Sequence, residues 1–323
     1  MPASKSQPTG IPKVIAVIDA FQQRHPLVAF PFAVIKKFGD DMGGYQAALL
    51  TYYGFLSLFP LLLVLVTVMQ LWFKNDTALR ARVVDSVNGF FPLLGEQLQH
   101  SVHSMGKAGV GLAIGILITA YGARGAADAL QYMLNNVWQV PRNRRPGFPK
   151  NLLQSLTIMA SAIVGFAATV AVSSFSAVLG RATWVKLVVN LAGFVVASCV
   201  FLFVAHRVTS RRVPLRDMLP GAVFAAAIIQ LLLTFGSILI AHQLKGLSSL
   251  YGTFAVVLGL LFWIYLIAQV IVYAAEINSV RYLQLWPRGL QGDKPTEADT
   301  KAYELYANVP RFTGNKDDTR FKH

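Results

Sequence analysis

The chain has 323 residues, of which 54% are hydrophobic and only 14% are charged, and its mean hydropathy is +0.50. Average soluble domains carry about 25% charged residues, so this composition excludes an ordinary soluble protein and indicates a membrane protein. A single cysteine, Cys199, excludes an intrachain disulfide framework, and the net charge of +14 calls for a partner of opposite charge or a topological explanation.

The first 44 residues are predicted to form an N-terminal segment at the inner membrane surface. Residues 12–39 are interrupted by Pro26 and Pro31 and are predicted to form short amphipathic helices. Their apolar residues are Val14, Ile15, Val17 and Ile18, followed by Val28, Phe30, Phe32, Val34 and Ile35. A cleavable signal peptide is not expected, because the first long apolar run begins near Ala47 and is long enough to stay in a bilayer.

Six apolar stretches are long enough to cross a membrane, since a spanning helix needs about 20 mostly apolar residues. The runs are continuous, which favours helices over a barrel. They predict an all-α, polytopic membrane domain over 45–283 with six transmembrane helices. The spans are approximately 46–71, 109–133, 153–179, 184–206, 219–242 and 254–278. The outer connection 77–105 is interpreted as one or two extracytoplasmic helices, and the polar tail 284–323 is predicted to be disordered.

Lysine and arginine are distributed unevenly between the two sides of this predicted bundle. With both termini inside, 21 of the 29 basic residues fall in inner segments and only 7 in outer ones. The positive-inside rule therefore predicts a membrane protein with both termini inside. The same rule explains the basic charge without nucleic acid. Membrane lipids are the expected partners, with anionic headgroups at the basic inner loops, and a homo-oligomer is possible.

The first span carries a polar stripe on an otherwise apolar helix. Gln46, Tyr53 and Ser57 share one helical face with Pro60. Because lipid cannot pair hydrogen-bonding groups, this stripe is expected to face the bundle interior. Pro60 lacks an N–H, which predicts a kink or local unwinding over 56–60.

Three ionisable residues lie in or at the ends of spans, namely Arg124, Asp128 and Glu276. A charge at bilayer depth costs at least about 2.5–3.5 kcal/mol, so each should have a partner or water. Arg124 and Asp128 are one turn apart, and Glu276 reaches Arg124 if the second and sixth spans are neighbours. Two interpretations stay open. One is a structural clamp, and the other is a polar cavity open to the cytoplasm and lined by Tyr53, Arg124, Asp128, Gln269 and Glu276.

Motifs of self-sufficient catalytic sites are absent from the sequence. No cluster of His, Cys and carboxylates has metal-ligand spacing, and the phosphate-loop, dinucleotide and GxSxG patterns are missing. No catalytic residue, metal ligand or cofactor is therefore predicted, and the hypothesis of an enzyme is left open.

Short motifs along the chain together resemble the YihY/BrkB family of bacterial inner-membrane proteins. They are 52-YYGFLSLFP-60, 135-NNVWQVPRNRR-145, 219-LPGAVFAA-226, 250-LYGTFAVVLGLLFWIYL-266 and 274-AAEINSV-280. The resemblance covers about residues 20–283 and implies six transmembrane helices. The residues that match the family pattern are Tyr53, Pro60, Asn135, Trp138, Gly252, Glu276 and Asn278.

This resemblance implies no settled activity, because the family has carried labels both as a ribonuclease and as a virulence factor. The ribonuclease label fits poorly, since metal-dependent RNA hydrolysis needs ligand clusters that this sequence lacks. The leading hypothesis is a transporter or lipid-handling, permease-like protein, and the alternative is a non-transporting scaffold that organises envelope machinery. The candidate cavity or substrate residues are Gln46, Tyr53, Ser57, Pro60, Arg124, Asp128, Asn135, Trp138, Gln269, Glu276 and Asn278.

Overall fold

A computed structural model of the protein describes residues 11–72, 109–179, 183–251, 254–290 and 295–310. Within these ranges the chain is helical and contains no strand, which confirms the all-α prediction. The helices of this described part are α1 (Ile11–Arg24), α2 (Pro26–Asp40), α3 (Gly43–Trp72), α4 (Gly109–Val137), α5 (Lys150–Leu179), α6 (Thr183–Val208), α7 (Leu215–Tyr251), α8 (Phe254–Leu283) and α9 (Glu297–Asn308). The predicted outer helices over 77–105 lie outside the described residues.

Helices α3 to α8 coincide with the six segments predicted as spans. Among the described residues, four stretches are long and apolar enough to cross a membrane: Lys150–Val172, Leu187–Val208, Leu215–Gly236 and Val257–Leu283. Large apolar side chains on these helices face outward; Ile163 is 68% exposed and Leu187 is 67% exposed. Such a surface suits lipid rather than water. Crossing by α3 and α4, and the orientation of the bundle, stay predictions.

The six long helices pack on one another in chain order, and α8 returns to α3 to close a ring. Small residues allow the closest approach, as is common between membrane helices. A Cβ added to Gly122 of α4 would lie 3.0 Å from the Cα of Ser57 on α3, and one added to Gly125 would meet the ring of Tyr53. These two pairs run in opposite order along the chain, so α3 and α4 are antiparallel.

Helix α3 is continuous in spite of its internal proline. It runs as one α-helix from Gly43 to Trp72, so the predicted unwinding near Pro60 is wrong. The hydroxyl of Ser57 donates to the carbonyl of Gly54 at 2.9 Å and not to the carbonyl of Leu56 that Pro60 leaves without a donor. The side chain of Pro60 lies outside the described residues, and a kink there stays a prediction.

The N-terminal segment forms two helices, α1 and α2, as the sequence predicts. The polarity of α1 is inverted relative to a helix on a soluble protein. Its buried side chains include Asp19 (8% exposed) and Gln22 (2%), whereas Val17, Ile18 and Phe21 are more than half exposed. An exposed apolar face on a short surface helix is the pattern expected at a lipid interface.

Part of the tail differs from the predicted disorder, because residues Glu297–Asn308 form α9, whereas 291–294 and 311–323 lie outside the described residues. Its first turn carries a capping box in which the Thr296 hydroxyl accepts from the Asp299 N–H, and the Asp299 carboxylate accepts from the Thr296 N–H. The polar composition of the tail misled the prediction, since its order depends on contacts with α1 and α2 at the far end of the sequence.

Candidate functional site

A buried lysine joins three helices at one end of the bundle. Lys37, in the last turn of α2, is 0% exposed, and its Nζ donates to Glu276 Oε2 of α8 at 2.8 Å and to Asp41 Oδ2 at 2.5 Å. The third acceptor is the carbonyl of Val137 at the end of α4, at 2.8 Å, which also accepts from the hydroxyl of Ser279. We call Lys37, Asp41 and Glu276 the inner ion cluster, and this end of the bundle the inner end.

The three acceptors keep the ammonium group charged although it is fully buried. Burial by itself lowers the pKa of Lys37, but the carboxyl groups of Glu276 and Asp41 outweigh it and raise this pKa above its usual value. Buried ion pairs need such additional hydrogen bonds to offset the loss of water. The cluster is therefore a closed joint between α2, α4 and α8.

Lys37 and Asp41 were missed by the sequence reasoning, which counted Lys37 only as a basic residue that reports topology. The two residues are four positions apart at the end of a helix, a spacing at which opposite charges pair. That spacing was the available signal. Nothing in the sequence connects this pair to Glu276, which lies 239 positions later.

The structure does not bring Glu276 and Arg124 together. Arg124 Nε lies 3.6 Å from Asp128 Oδ2, as their one-turn spacing predicts, but both side chains are substantially exposed, at 53% and 39%. Asp128 also accepts from the hydroxyl of Ser155 at 2.7 Å, which ties α4 to α5. Of the other candidates, Tyr53 packs on Gly125 of α4, and Gln269 is half-buried on α8.

Asn135 and Trp138 hold the connection between α6 and α7 onto the end of α4. Asn135 Oδ1 accepts from the backbone N–H of Ser210 at 3.1 Å. Trp138 is 1% exposed, packs edge-to-face on Tyr282, and its carbonyl accepts from Arg211. Both residues are therefore engaged in a joint at the inner end.

Asn278 joins α8 to the start of α7, where Pro220 interrupts the regular helical hydrogen bonds. Its Oδ1 accepts from the N–H of Gly221 at 2.7 Å, and its Nδ2 donates to the carbonyl of Met218 at 2.9 Å. The side-chain amide thus satisfies one donor and one acceptor beside the proline. The LPG and AEIN sequences, which resemble one family, contact each other in space.

A cavity of about 500 Å³ opens beside the inner ion cluster. Its lining comes from the end of α2, the start of α3, the end of α4 with the turn that follows, and the end of α9. The lining combines tyrosine rings, side-chain amides and carboxylates: Tyr45, Tyr132, Tyr306, Gln46, Asn136, Gln139, Asp40 and Asp41, with Arg142 at one side. Gln46 is the one candidate residue from the sequence that lines it. The predicted cavity residues Tyr53, Arg124, Asp128, Gln269 and Glu276 are not part of this lining.

Asp41 belongs to both the cavity and the inner ion cluster. Its Oδ1 accepts from Gln139 Nε2 at 2.7 Å on the cavity side, and its Oδ2 accepts from Lys37. Gln46 donates to the backbone carbonyl of Asp41, so two side-chain amides, those of Gln46 and Gln139, hold Asp41 beside the cavity.

A second ion network ties the tail to the N-terminal helices. Arg288, which is 0% exposed, donates to Asp299 at 2.6 Å and to Asp40 at 2.9 Å, and Lys36 donates to Asp299 at 2.9 Å. Gln22 of α1 donates to the carbonyl of Arg288. Burial raises the pKa of Asp299, but the hydrogen bonds from Arg288 and from the Gly289 N–H outweigh it and hold this pKa well below its usual value. The network fixes α9 beside the cavity.

We expect Asp299→Asn to release α9 from α2. A hydrogen bond to a charged group contributes about 1.5–3 kcal/mol, so trypsin should cleave after the exposed Lys301 more than tenfold faster than in the wild type. Because the pKa of Asp299 is lowered by folding, docking should be complete above about pH 4, the unfolded value, and should fail only at more acidic pH. Glu304→Gln on the exposed side of α9 is the control, and equal cleavage of both variants would contradict the prediction.

Comparison with known proteins places the chain among bacterial membrane proteins. A family model described as virulence factor BrkB matches residues 34–297. A UPF0761 membrane protein of Alkalilimnicola ehrlichii is 27% identical over 270 residues, which cover 78% of this chain and 58% of that protein. Relatives with the same description from Pseudoalteromonas atlantica (28% identical; 73% of this chain and 80% of the relative) and Vibrio vulnificus (24%; 78% and 82%) are also similar. No solved structure matches the chain.

Proposed function

We propose that this chain, which belongs to the virulence factor BrkB family of membrane proteins, is a permease-like protein of the bacterial cytoplasmic membrane. A small polar solute or a lipid headgroup enters the bundle from the cytoplasmic side, with all six long helices crossing the bilayer and both termini inside. The observation that carries the proposal is the cavity at the inner end.

The chemistry of the cavity supports binding of a molecule with both polar and apolar parts. Binding sites for small molecules measure about 300–1,000 Å³ and combine apolar walls with a few polar groups that fix orientation. Here the walls include tyrosine rings, and the polar groups are amides and carboxylates from the end of α2, the start of α3 and the end of α4.

The position of the cavity supports a role in movement across the membrane. Asp41 contacts the cavity on one side and, through Lys37, the α8 carboxyl group on the other. A molecule that changes the hydrogen bonds of Asp41 therefore acts on the joint that holds α8 to α2. The outward apolar face of α1 supports the placement of this end of the bundle beside lipid headgroups.

A non-transporting scaffold is the second candidate, and the closed joints favour it. Glu276, Asn135 and Asn278 each bridge separate elements through hydrogen bonds. In this alternative, lipid headgroups and envelope proteins bind the basic inner loops, and the cavity has no cargo.

A blocked cavity distinguishes the two candidates. Full-length protein is reconstituted in liposomes, and uptake of labelled polar solutes and flipping of lipids with fluorescent headgroups are measured. We expect protein-dependent flux or flipping that falls at least tenfold in Asn136→Trp, which fills the cavity, and that is unchanged in Asn190→Trp on the exposed face of α6. Equal activity of the two variants, or no protein-dependent movement of any solute or lipid tested, would reject the permease in favour of the scaffold.

A further inference from the structure

We infer that the inner ion cluster is a proton-binding site, in which one exchangeable proton is held between the carboxyl groups of Asp41 and Glu276 beside the Lys37 ammonium. The role of this proton as a coupling ion rests on the proposed function. Its presence does not, and it is tested without any transport measurement.

The first argument is the charge balance of the cluster. Two ionised carboxylates and one ammonium carry a net charge of −1, while the side chains of Lys37, Asp41 and Glu276 are 0%, 4% and 0% exposed. A net charge is strongly unfavourable where water is excluded. Uptake of one proton from solution brings the net charge of the three groups from −1 to zero, with the proton bound to a carboxyl oxygen and no other bond broken.

The second argument is the common partner of the two carboxyl groups. Both accept from the same Nζ, at 2.5 and 2.8 Å, so Lys37 holds them side by side. Two ionised carboxylates that are neighbours in this way repel each other, whereas a carboxylic acid can donate a hydrogen bond to a carboxylate. The geometry therefore matches a pair that holds one proton in common.

The third argument is an unsatisfied oxygen. Oε1 of Glu276 is buried and has no hydrogen-bond partner among the described residues. An ionised oxygen in that position lacks every donor that would stabilise its charge. Protonation removes the charge and turns the carboxyl group into a donor, and the carboxylate of Asp41, which binds the same ammonium, is an acceptor.

The groups that face the cluster come from every element packed against it. Around Glu276 are Lys37 from α2, the Val137 carbonyl from α4, and Tyr273 and Ser279 from α8. Around Asp41, on the cavity side, are Gln139, Tyr306 and Arg142. Because Asp41 lines the cavity, the shared proton exchanges with water there, whereas Glu276 lies behind it.

Infrared spectroscopy tests for the proton directly. Full-length wild type, Glu276→Gln and Asp41→Asn are prepared at neutral pH in a detergent without ester groups, so that protein carboxyl groups are observed. We expect the wild type to show a protonated carboxyl band that shifts in heavy water. The band should lose the intensity of one carboxyl group in each variant, because Lys37 balances the single carboxylate that remains.

The control is Glu304→Gln, which removes an exposed carboxyl group from α9 and should leave the band unchanged. A wild-type band that persists in both cluster variants would overturn the inference, and so would a wild type with no exchangeable carboxyl band. A wild-type spectrum without the band is decisive even if a variant fails to fold. If the wild type shows the band but no protein-dependent flux in liposomes, the proposed function is rejected and the proton site is retained.

Discussion

Replacement of Lys37 by methionine should lower the free energy of unfolding by about 3–5 kcal/mol, the usual cost of breaking a buried ion pair from one side. The variant leaves two carboxyl groups, of Asp41 and Glu276, without a counter-charge in a place that excludes water. The Val137 carbonyl also loses the ammonium as a donor. Chemical denaturation in detergent, followed by circular dichroism, measures the effect.

The neighbouring lysine provides a matched control for that experiment. Lys36 is 21% exposed and binds Asp299 of the tail, so Lys36→Met should loosen α9 and leave the helical bundle nearly as stable as the wild type. The double variant Lys37→Met with Glu276→Gln should regain part of the lost stability, because it removes one uncompensated carboxyl group. Equal destabilisation by the two lysine variants would show that the inner ion cluster does not hold the bundle together.

Gly221→Ala should lower the free energy of unfolding by about 3 kcal/mol, at the upper end of the range for an overpacked contact. A Cβ at this position would lie 2.1 Å from the backbone oxygen of Ala274 and 2.5 Å from Asn278 Nδ2. Backbone cannot move aside as a flexible side chain does, so α7 must separate from α8. That separation also breaks the hydrogen bond from the Gly221 N–H to Asn278.

Gly193 on α6 is the control for this substitution, since a Cβ there meets nothing within 4 Å. Alanine is favoured over glycine inside a helix by about 0.5–1 kcal/mol, so Gly193→Ala should be neutral or slightly stabilising. The prediction fails if thermal unfolding of the two alanine variants occurs at the same temperature.

The helices of this protein were predictable from sequence because hydropathy is a local property. Each long apolar run became one helix, and the internal Pro60 did not end α3. The amphipathic pattern of the N-terminal segment likewise predicted α1 and α2. The helix α9 was not predictable in this way, because composition favours disorder there and its stability comes from Arg288 and Lys36.

The faces along which helices meet were harder to predict than the helices themselves. The stripe of α4 that contains Arg124 and Asp128 was expected to point inward, because polar groups avoid lipid. In the structure α4 meets α3 through the small residues Gly122 and Gly125, and Arg124 is half exposed. The glycines let the backbones of α3 and α4 approach closely, and this approach determines which face of α4 meets α3. The spacing of polar residues along α4 does not predict that face.

In the candidate site, too, individual residues could be selected from the sequence, but the partners they contact could not. Asn135, Trp138, Glu276 and Asn278 were all selected by motif resemblance, and each forms a contact between elements. Their partners were not selected, because Lys37 resembles any basic residue near a membrane. Pairing across such distances in sequence is a property of the folded chain and leaves no local pattern.

The separation of Lys37 from Glu276 has a consequence for biogenesis. The ribosome makes Lys37 239 residues before its partner carboxylate, and Arg288, which anchors α1 and α2 to the tail, follows later still. Until α8 is made, Lys37 lacks the carboxyl group of Glu276, and its ammonium has to stay hydrated. A chain that stops before α8 therefore lacks the partners that close both ion networks at the inner end.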